Sequence, residues 1–327
     1  MGLGSLRSCS VVIRAYNEEN HIGRLLEGIA HQTVKAVEVI LVDSGSTDRT
    51  VEIARGYGAQ IERIEPQQFT FGRSLNLGLH RATQDLVVIA SAHVYPVYPD
   101  WLERLLAPFE DEKVALTYGK QRGNEQSRFS ERQIFLQWYG ERTNLSQAHP
   151  FCNNANAAIR RRLWQQHPYD ETLSGLEDLA WAKWALEQGY RIAYVAEAEV
   201  IHIHHETPRA VYNRYRREAM ALKRIFPQET FTFRDFLRLT LSNVINDLWH
   251  AHQSKELRLH WREILWFRFM QFWGTYCGYR QAGHLTWELR RTFYYPRGLK
   301  EARVASLTRN VAPIRYNETY AQEEKLK

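Results

Sequence analysis

Several short segments of this chain place reactive side chains where chemistry needs them. Gly175-Leu-Glu-Asp-Leu-Ala-Trp-Ala opens a helical pattern with two adjacent carboxylates, Glu177 and Asp178. Such a pair can take a proton from a hydroxyl, or it can simply complement the positive end of a helix dipole. Val200-Ile-His-Ile-His-His-Glu alternates with period two, which puts His202 and His204 on one face and Ile201 and Ile203 on the other. A third histidine, His93, closes Ser91-Ala92-His93 after the apolar run Leu86 to Ala90. Imidazoles of this kind either bind a divalent cation or make ordinary hydrogen bonds. In Phe71-Gly-Arg-Ser-Leu-Asn-Leu-Gly, Arg73 and Asn76 fall one helical turn apart. That placement suits an anion at a helix N-terminus, and equally an exposed Arg beside a capping Asn. Asp43 and Ser44 end another apolar run, where they form a hydrogen-bonding edge or merely a turn and cap.

The elements that must position these residues can be read from periodicity. Cys9 to Arg14, Glu38 to Asp43, Gln60 to Ile64 and Leu86 to Ala90 are short Val/Ile/Leu runs of the sort buried on both faces of a parallel sheet. Helical patterns separate them. Glu19 to His31 aligns Ile22, Leu25, Leu26 and Ile29, and Ser46 to Tyr57 opens with capping residues. The resulting β-α-β-α-β-α-β order predicts an α/β fold, a doubly wound, mostly parallel sheet that binds ligands at the C-terminal ends of its strands. Further on come a helix near Asp100 to Phe109, a strand near Val114 to Tyr118, a polar stretch Gly119 to Ser130, a helix near Leu176 to Gln188, and strands at Arg191 to Val195 and Val200 to His205. From Phe233 onward the pattern is helical, with Phe236, Leu237, Leu241, Val244 and Leu248 at helical spacing, then Trp261, Leu265, Phe269 and Phe272.

The pairing of Ser10-Val-Val-Ile-Arg-Ala-Tyr-Asn-Glu-Glu with Leu41-Val-Asp-Ser-Gly-Ser-Thr-Asp, one βα unit apart, resembles the nucleotide-binding half of the inverting family 2 glycosyltransferases of the GT-A fold. The resemblance spans roughly residues 8 to 205 and implies a glycosyltransferase that moves a sugar from a nucleoside-diphosphate sugar, of UDP or dTDP type, to a hydroxyl of a glycan or polyprenyl-linked glycan. It assigns Asp178 as the base and Glu177 as a group that orients the acceptor. Ala15, Tyr16, Glu18, Asp43 and Ser44 would line the base and ribose, Asp43 accepting from the imino N–H. Arg73 and Asn76 would face the diphosphate, and Ser91, Ala92 and Asn154 would border the donor, with Asn153 and Asn156 beside the last. The family usually places Asp-x-Asp where this chain has Ser91-Ala92-His93, although some relatives use Asp-x-His. With a histidine there, and with His202 or His204 completing the site, the expected cation is Mn²⁺ or Mg²⁺, the imidazoles tilting the choice toward Mn²⁺ because Mg²⁺ prefers oxygen ligands. Phe71-Gly-Arg-Ser-Leu-Asn-Leu-Gly and the Ser-Ala-His sequence together look most similar to enzymes of bacterial surface polysaccharide synthesis, including rhamnosyltransferase-like ones. The rival from another class is a catalytically idle scaffold that keeps the nucleotide pocket. The Glu177-Asp178 pair argues against it.

Composition narrows the remaining classes. With 44% apolar and 24% charged residues the chain is neither disordered nor a polytopic membrane protein. Cys9, Cys152 and Cys277 have no CxxC spacing, which fits a reducing, cytoplasmic setting, and Met1 to Ser10 has no apolar signal-like run. The most apolar stretch, Ile264 to Tyr279, is interrupted by Arg268. Charge is uneven: residues 1–207 carry 21 basic and 26 acidic side chains, residues 208–309 carry 19 and 8, and residues 310–327 carry 3 and 3. The expected modules are therefore a catalytic domain (1–207), a basic, aromatic helical subdomain (208–309) and a polar tail (310–327). A basic aromatic third could serve nucleic acid, but the acidic body and the lack of any nucleic-acid motif exclude it here. The amphipathic faces suit peripheral contact with an anionic membrane, and equally packing on the catalytic domain or a homo-oligomer interface.

Overall fold

The structure, a computed structural model, describes residues 8–204, 206–281 and 311–316. Its first half is the anticipated alternation. β1 (Cys9–Ala15), β2 (Val37–Asp43), β3 (Gln60–Arg63) and β4 (Leu86–Ser91) are separated by α1 (Ile22–Ala30), α2 (Thr50–Gly56) and α3 (Phe71–Arg81). These four strands pair in parallel in the order β3-β2-β1-β4. Strict alternation then divides the apolar side chains between two layers. Val12, Ile40, Val42, Val87 and Ile89 face Leu75 and Leu79 of α3, while Val11, Ile13, Leu41 and Val88 face Ile22, Leu25 and Leu26 of α1.

The second half turns the sheet into a mixed one. β5 (Val94–Pro96), α4 (Trp101–Leu106), β6 (Val114–Arg122), α5 (Phe129–Trp138), β7 (Asn144–Gln147), β8 (Asn156–Arg160), α6 (Arg161–Gln166), α7 (Glu177–Glu187) and β9 (Arg191–His202) follow in sequence. Beyond β4 the sheet continues β8-β6-β9-β5, with β7 also on β9. β8 lies antiparallel to both β4 and β6, β6 and β9 are parallel, and β5 runs antiparallel to β9. Parallel pairing is thus confined to two regions. The expected strand 191–195 and the start of the run 200–205 are a single strand, β9, which ends at His202 and whose register against β6 shifts between Gly119 and Gln121. The polar stretch 119–130 includes the end of β6 and the first residues of α5.

Helices α8 (Pro208–Ile225), α9 (Phe233–Gln253) and α10 (Leu257–Arg280) complete the described chain. Thr207 caps α8 by accepting from the Ala210 N–H, and Thr232 and Asp235 form a capping box on α9. α8 and α10 approach closely because Gly274 and Gly278 have no side chain. A Cβ on Gly274 would stand 2.4 Å from the Tyr212 carbonyl oxygen, and one on Gly278 2.3 Å from that of Arg216. Arg268, the charge that interrupts the apolar stretch of α10, is buried against Asp247 of α9 with N–O distances of 2.7 and 3.0 Å, and Ser130 of α5 donates to the same carboxylate at 2.6 Å. Among the described residues no helix is long and apolar enough to cross a membrane. Trp287 and most of the expected tail lie outside the described residues. Its segment 311–316 runs along β5, where the Ile314 N–H donates to the Val97 carbonyl at 3.0 Å and Tyr316 bonds the Pro96 carbonyl.

Candidate active site

Register brings the first motifs together. β1 pairs with β2 so that Ala15 stands opposite Asp43, and with β4 so that Arg14 stands opposite Ser91. The C-terminal ends of three parallel strands therefore share one edge. Ser44 donates to the Ala15 carbonyl through both its N–H and its Oγ, each at 3.1 Å, and the buried Asp43 accepts from the Ser46 N–H at 3.0 Å. Asn17, in the left-handed region at φ 55°, bonds the Thr47 N–H at 2.8 Å, and the Glu18 N–H donates to Thr50 Oγ1 at 2.7 Å. The half-buried Tyr16 and its neighbours are thus laced to the turn that holds Asp43 and Ser44.

The three histidines meet. β5 pairs with β9 so that Val94 opposes His202, which sets His93 beside the end of β9. The His93 ring lies 5.1 Å from that of His202 and 5.2 Å from that of His204, and the last two are 4.1 Å apart. One nitrogen from each comes within 4.8 Å of the others. Each Nδ1 is held from behind by an oxygen: Glu18 at 2.8 Å for His93, Gln121 at 2.7 Å for His202 and Glu131 at 2.7 Å for His204. Donation from Nδ1–H to these oxygens fixes the tautomer and leaves the Nε2 lone pair for a ligand. His202 Nε2 is buried with no hydrogen-bond partner. Burial, then the neighbouring His204, His93 and Arg214, hold His202 well below the usual histidine range, so it is neutral, as metal binding requires. Burial also works against the charge of His93, but the Glu18 carboxylate outweighs it and raises His93 above the ordinary value. Glu131 is paired in turn with Arg214 at 3.1 Å.

The acidic pair opens α7 after a residue that few proteins place there: Leu176 is left-handed at φ 56°. Non-glycine residues in that region cost about 1 to 3 kcal/mol and concentrate at functional sites. Asp178 is buried, accepting from the Asn154 N–H at 2.9 Å and from the Leu179 N–H at 2.8 Å. Burial, and then the adjacent Glu177, push its pKa up to about 7, against those N–H groups and Arg14. Glu177 is held by Arg14 at 3.2 Å. Arg14 lies 4.7 Å from the centroid of the Phe71 ring and Arg217 of α8 lies 4.6 Å from it, so two guanidiniums stand at the start of α3 beside the acidic pair.

The Glycosyl transferase family 2 model matches residues 10–167, which include the Ala15, Asp43 and Ser91 strand ends. This segment, just under half of the chain, is similar to the family 2 glycosyltransferase domain. An O-antigen chain rhamnosyltransferase of Salmonella anatum, WbaN, is 32% identical over 195 residues, 56% of this chain and 62% of that protein's own length. The rhamnosyltransferase RfbN of Salmonella typhimurium is 26% identical over 219 residues, 63% of this chain and 69% of its own. In fold the chain is similar to a mannosyltransferase from Pyrobaculum calidifontis solved with GDP-Man and Mn²⁺, with TM-score 0.56, 19% identity and coverage of 81% of this chain and 85% of that one. It is also similar to glucosyl-3-phosphoglycerate synthase of Mycobacterium tuberculosis with Mn²⁺ and UDP, at TM-score 0.51, 23% identity and coverage of 67% and 80%. These neighbours have the GT-A fold, the architecture that the family resemblance implied.

Within and beside the matched segment, several anticipated roles need revision. Asn76 has nothing left for a diphosphate: its amide donates to the Tyr169 carbonyl and Glu171, and its oxygen accepts from Trp164 and the Tyr169 N–H, at 2.8 to 3.0 Å. It ties α3 to residues 164–171. Arg73, one turn away, lies 4.0 Å from Glu171. Asn156 is likewise consumed, by Trp101 and two carbonyls, whereas Asn154 stays at the acidic pair. Glu18 belongs to the histidine cluster through His93. Ser91 ends β4, and the fully buried Ala92 follows it just before His93. The sequence reading missed Arg14, Gln121, Glu131 and Arg217. Arg14 had a signal, since it is the one charged residue in an otherwise apolar buried strand.

Proposed function

We propose that the protein transfers a sugar, with inversion, from a nucleoside-diphosphate sugar to a hydroxyl of a glycan. The observation that carries this is Asp178, a buried carboxylate pushed up to about 7 at the start of α7, reached through a left-handed Leu176. A sugar hydroxyl becomes a competent nucleophile only as its proton leaves, and a base with a pKa near 7 suits that step at neutral pH. Asp178 takes the proton as the hydroxyl attacks the anomeric carbon, and the nucleoside diphosphate departs from the opposite face. Glu177, tied to Arg14, positions this base and adds to its basicity. Asp43 and the Ala15-Tyr16 backbone accept the base and ribose. Arg14 and Arg217 supply positive charge toward the diphosphate.

His93, His202 and His204 would hold the divalent cation. The unpartnered, neutral His202 Nε2 and the oxygens behind all three rings fit such an ion. Three imidazoles favour Mn²⁺ over Mg²⁺. When bound, the ion neutralises charge developing on the leaving diphosphate. The rhamnosyltransferase names of the two Salmonella relatives support a deoxyhexose donor of dTDP or UDP type and an acceptor in surface polysaccharide synthesis, glycan or polyprenyl-linked. Three free cysteines support the cytoplasm as the location. The test is a nucleotide-sugar panel assayed for donor hydrolysis and transfer, with chelator and after Mn²⁺ is restored. Turnover of one donor, lost in Asp178→Asn, is expected; no turnover of any donor by the wild type in Mn²⁺ would reject the reading.

A further inference from the structure

Helices α9 and α10 each have an inner face that is already satisfied. Phe236, Asp247 and Ala251 of α9 and Ile264, Phe267 and Arg268 of α10 are buried within the protein. One apolar stripe is all a surface helix needs. Both helices nevertheless carry a second. On α9, Phe233, Leu237, Leu241 and Ile245 recur every fourth residue toward Trp249, and on α10 Trp261, Leu265 and Phe269 do the same. With Leu259, these side chains are 41% to 77% exposed. The buried Phe236 ring bridges the two stripes at one end, 5.5 Å from Phe233 and 5.8 Å from Phe269, ring to ring.

The charge on this surface is predominantly of one sign. The exposed positions from Phe233 to Arg280 include Arg234, Arg238, Lys255, Arg258, Arg262 and Arg280, and not one Asp or Glu. The carboxylates of the two helices are turned to other work. Asp247 is buried under Arg268, Glu256 pairs with Arg132, Glu263 with Arg128, and Asp235 caps α9. Apolar side chains flanked mainly by cations, of which Arg238 is paired with Asp235, complement a surface that is apolar below and anionic above. A second copy of the chain fits poorly, because an isologous contact would set these cations against themselves. A nucleic acid offers no partner for Leu237, Leu241 and Ile245.

We propose that the outer face of α9 and α10 docks on an anionic bilayer, its Leu, Ile, Phe and Trp side chains at the headgroup boundary and its arginines at the phosphates. This surface is separate from the transfer site and does not depend on which sugar is moved. The experiment uses the full chain and sedimentation with vesicles of phosphatidylcholine, with and without phosphatidylglycerol. The protein is expected on the anionic vesicles at low salt and to be released as the Debye length shrinks from about 10 Å at 0.1 M to about 3 Å at 1 M. Each lost cation should weaken partitioning roughly fivefold, so Arg234→Gln with Arg262→Gln should weaken it about 25-fold. Leu241→Glu with Ile245→Glu should abolish binding while thermal midpoint and transfer to a soluble acceptor stay unchanged. Equal binding to neutral vesicles, or none to anionic ones at low salt, overturns the proposal. So does a dimer, seen by light scattering, that Leu241→Glu converts to monomer, since the occupant would then be a second copy.

Discussion

Asp178 carries a cost that its environment makes measurable. Its ordinary pKa is 3.8 and in the fold it is pushed up to about 7, chiefly by burial and next by Glu177. Because the folded state binds the proton more tightly than the unfolded chain, the stability this group contributes is full below about pH 4 and is lost as pH rises toward 7. Asp178→Asn should therefore raise the thermal midpoint relative to wild type at about pH 8 and not at about pH 4. The same change should lower turnover by about 10² to 10⁴, and wild-type turnover should rise with pH through about 7. Transfer by the variant within a few-fold of wild type would remove Asp178 from the role of base. At the histidine cluster, Gln121 holds His202 at 2.7 Å and touches no donor sugar in the proposed mechanism. Gln121→Leu frees the ring to rotate, so Mn²⁺ affinity should drop about 10- to 100-fold, read from the spectrum of free Mn²⁺ without any sugar present. Unchanged affinity would mean that the ion, if bound, sits elsewhere.

At the scale of elements, what could be read from sequence depended on how local the cause was. β1, β2 and β4 announce themselves because both faces of each are buried, and Ile22, Leu25 and Ile29 mark α1 by spacing alone. The direction of β8 could not be seen, since Asn156-Ala-Ala-Ile-Arg reads the same in a parallel or an antiparallel ladder. The acidic pair and the strand-end residues were legible for the same local reason. Convergence of His93 on His202 and His204 was anticipated through the family resemblance and not through local pattern, because it follows from β5 pairing with β9 across more than a hundred residues. Asn76 misled because a polar residue early in a helix looks available until Trp164 and Tyr169 are seen to occupy it. Arg217 was invisible for a related reason: tertiary packing of α8 on the rest of the molecule carries it to Phe71. That packing can be tested. A Cβ on Gly274 would meet the Tyr212 carbonyl at 2.4 Å, so Gly274→Leu must push α8 away. Overpacking of this kind costs about 1 to 3 kcal/mol. Transfer should fall as well, since α8 also bears Arg214, the partner of Glu131 behind His204. A loss of stability with turnover intact would show that α8 only supports the fold.

For the whole molecule, the step in charge near residue 207 coincides with the start of α8 at Pro208, yet the contacts across that line are those of one interlocked body. Ile134 of α5 packs with Val211, Tyr215 and Phe267, and Ser174 Oγ, just before the acidic pair, donates to the Arg217 carbonyl at 2.8 Å. Ser130, Asp247 and Arg268 share a buried network between α5, α9 and α10. A chain cut after residue 207 would expose Ile134, strip Arg214 from Glu131 and leave Ser130 without its acceptor. It should be poorly soluble, with a lower thermal midpoint, and should bind Mn²⁺ weakly even though His93, His202 and His204 are all retained. The buried pair tests the same coupling without truncation. Arg268→Met alone leaves Asp247 charged and fully buried, which costs about 3 to 5 kcal/mol, whereas adding Asp247→Leu removes the uncompensated charge and should recover most of that loss. Urea denaturation measures both, and if the halves are coupled through this network the single variant should lower one common transition for the entire chain. Two separate transitions, only one of them shifted by Arg268→Met, would show instead that the helices from Pro208 onward fold as a unit of their own.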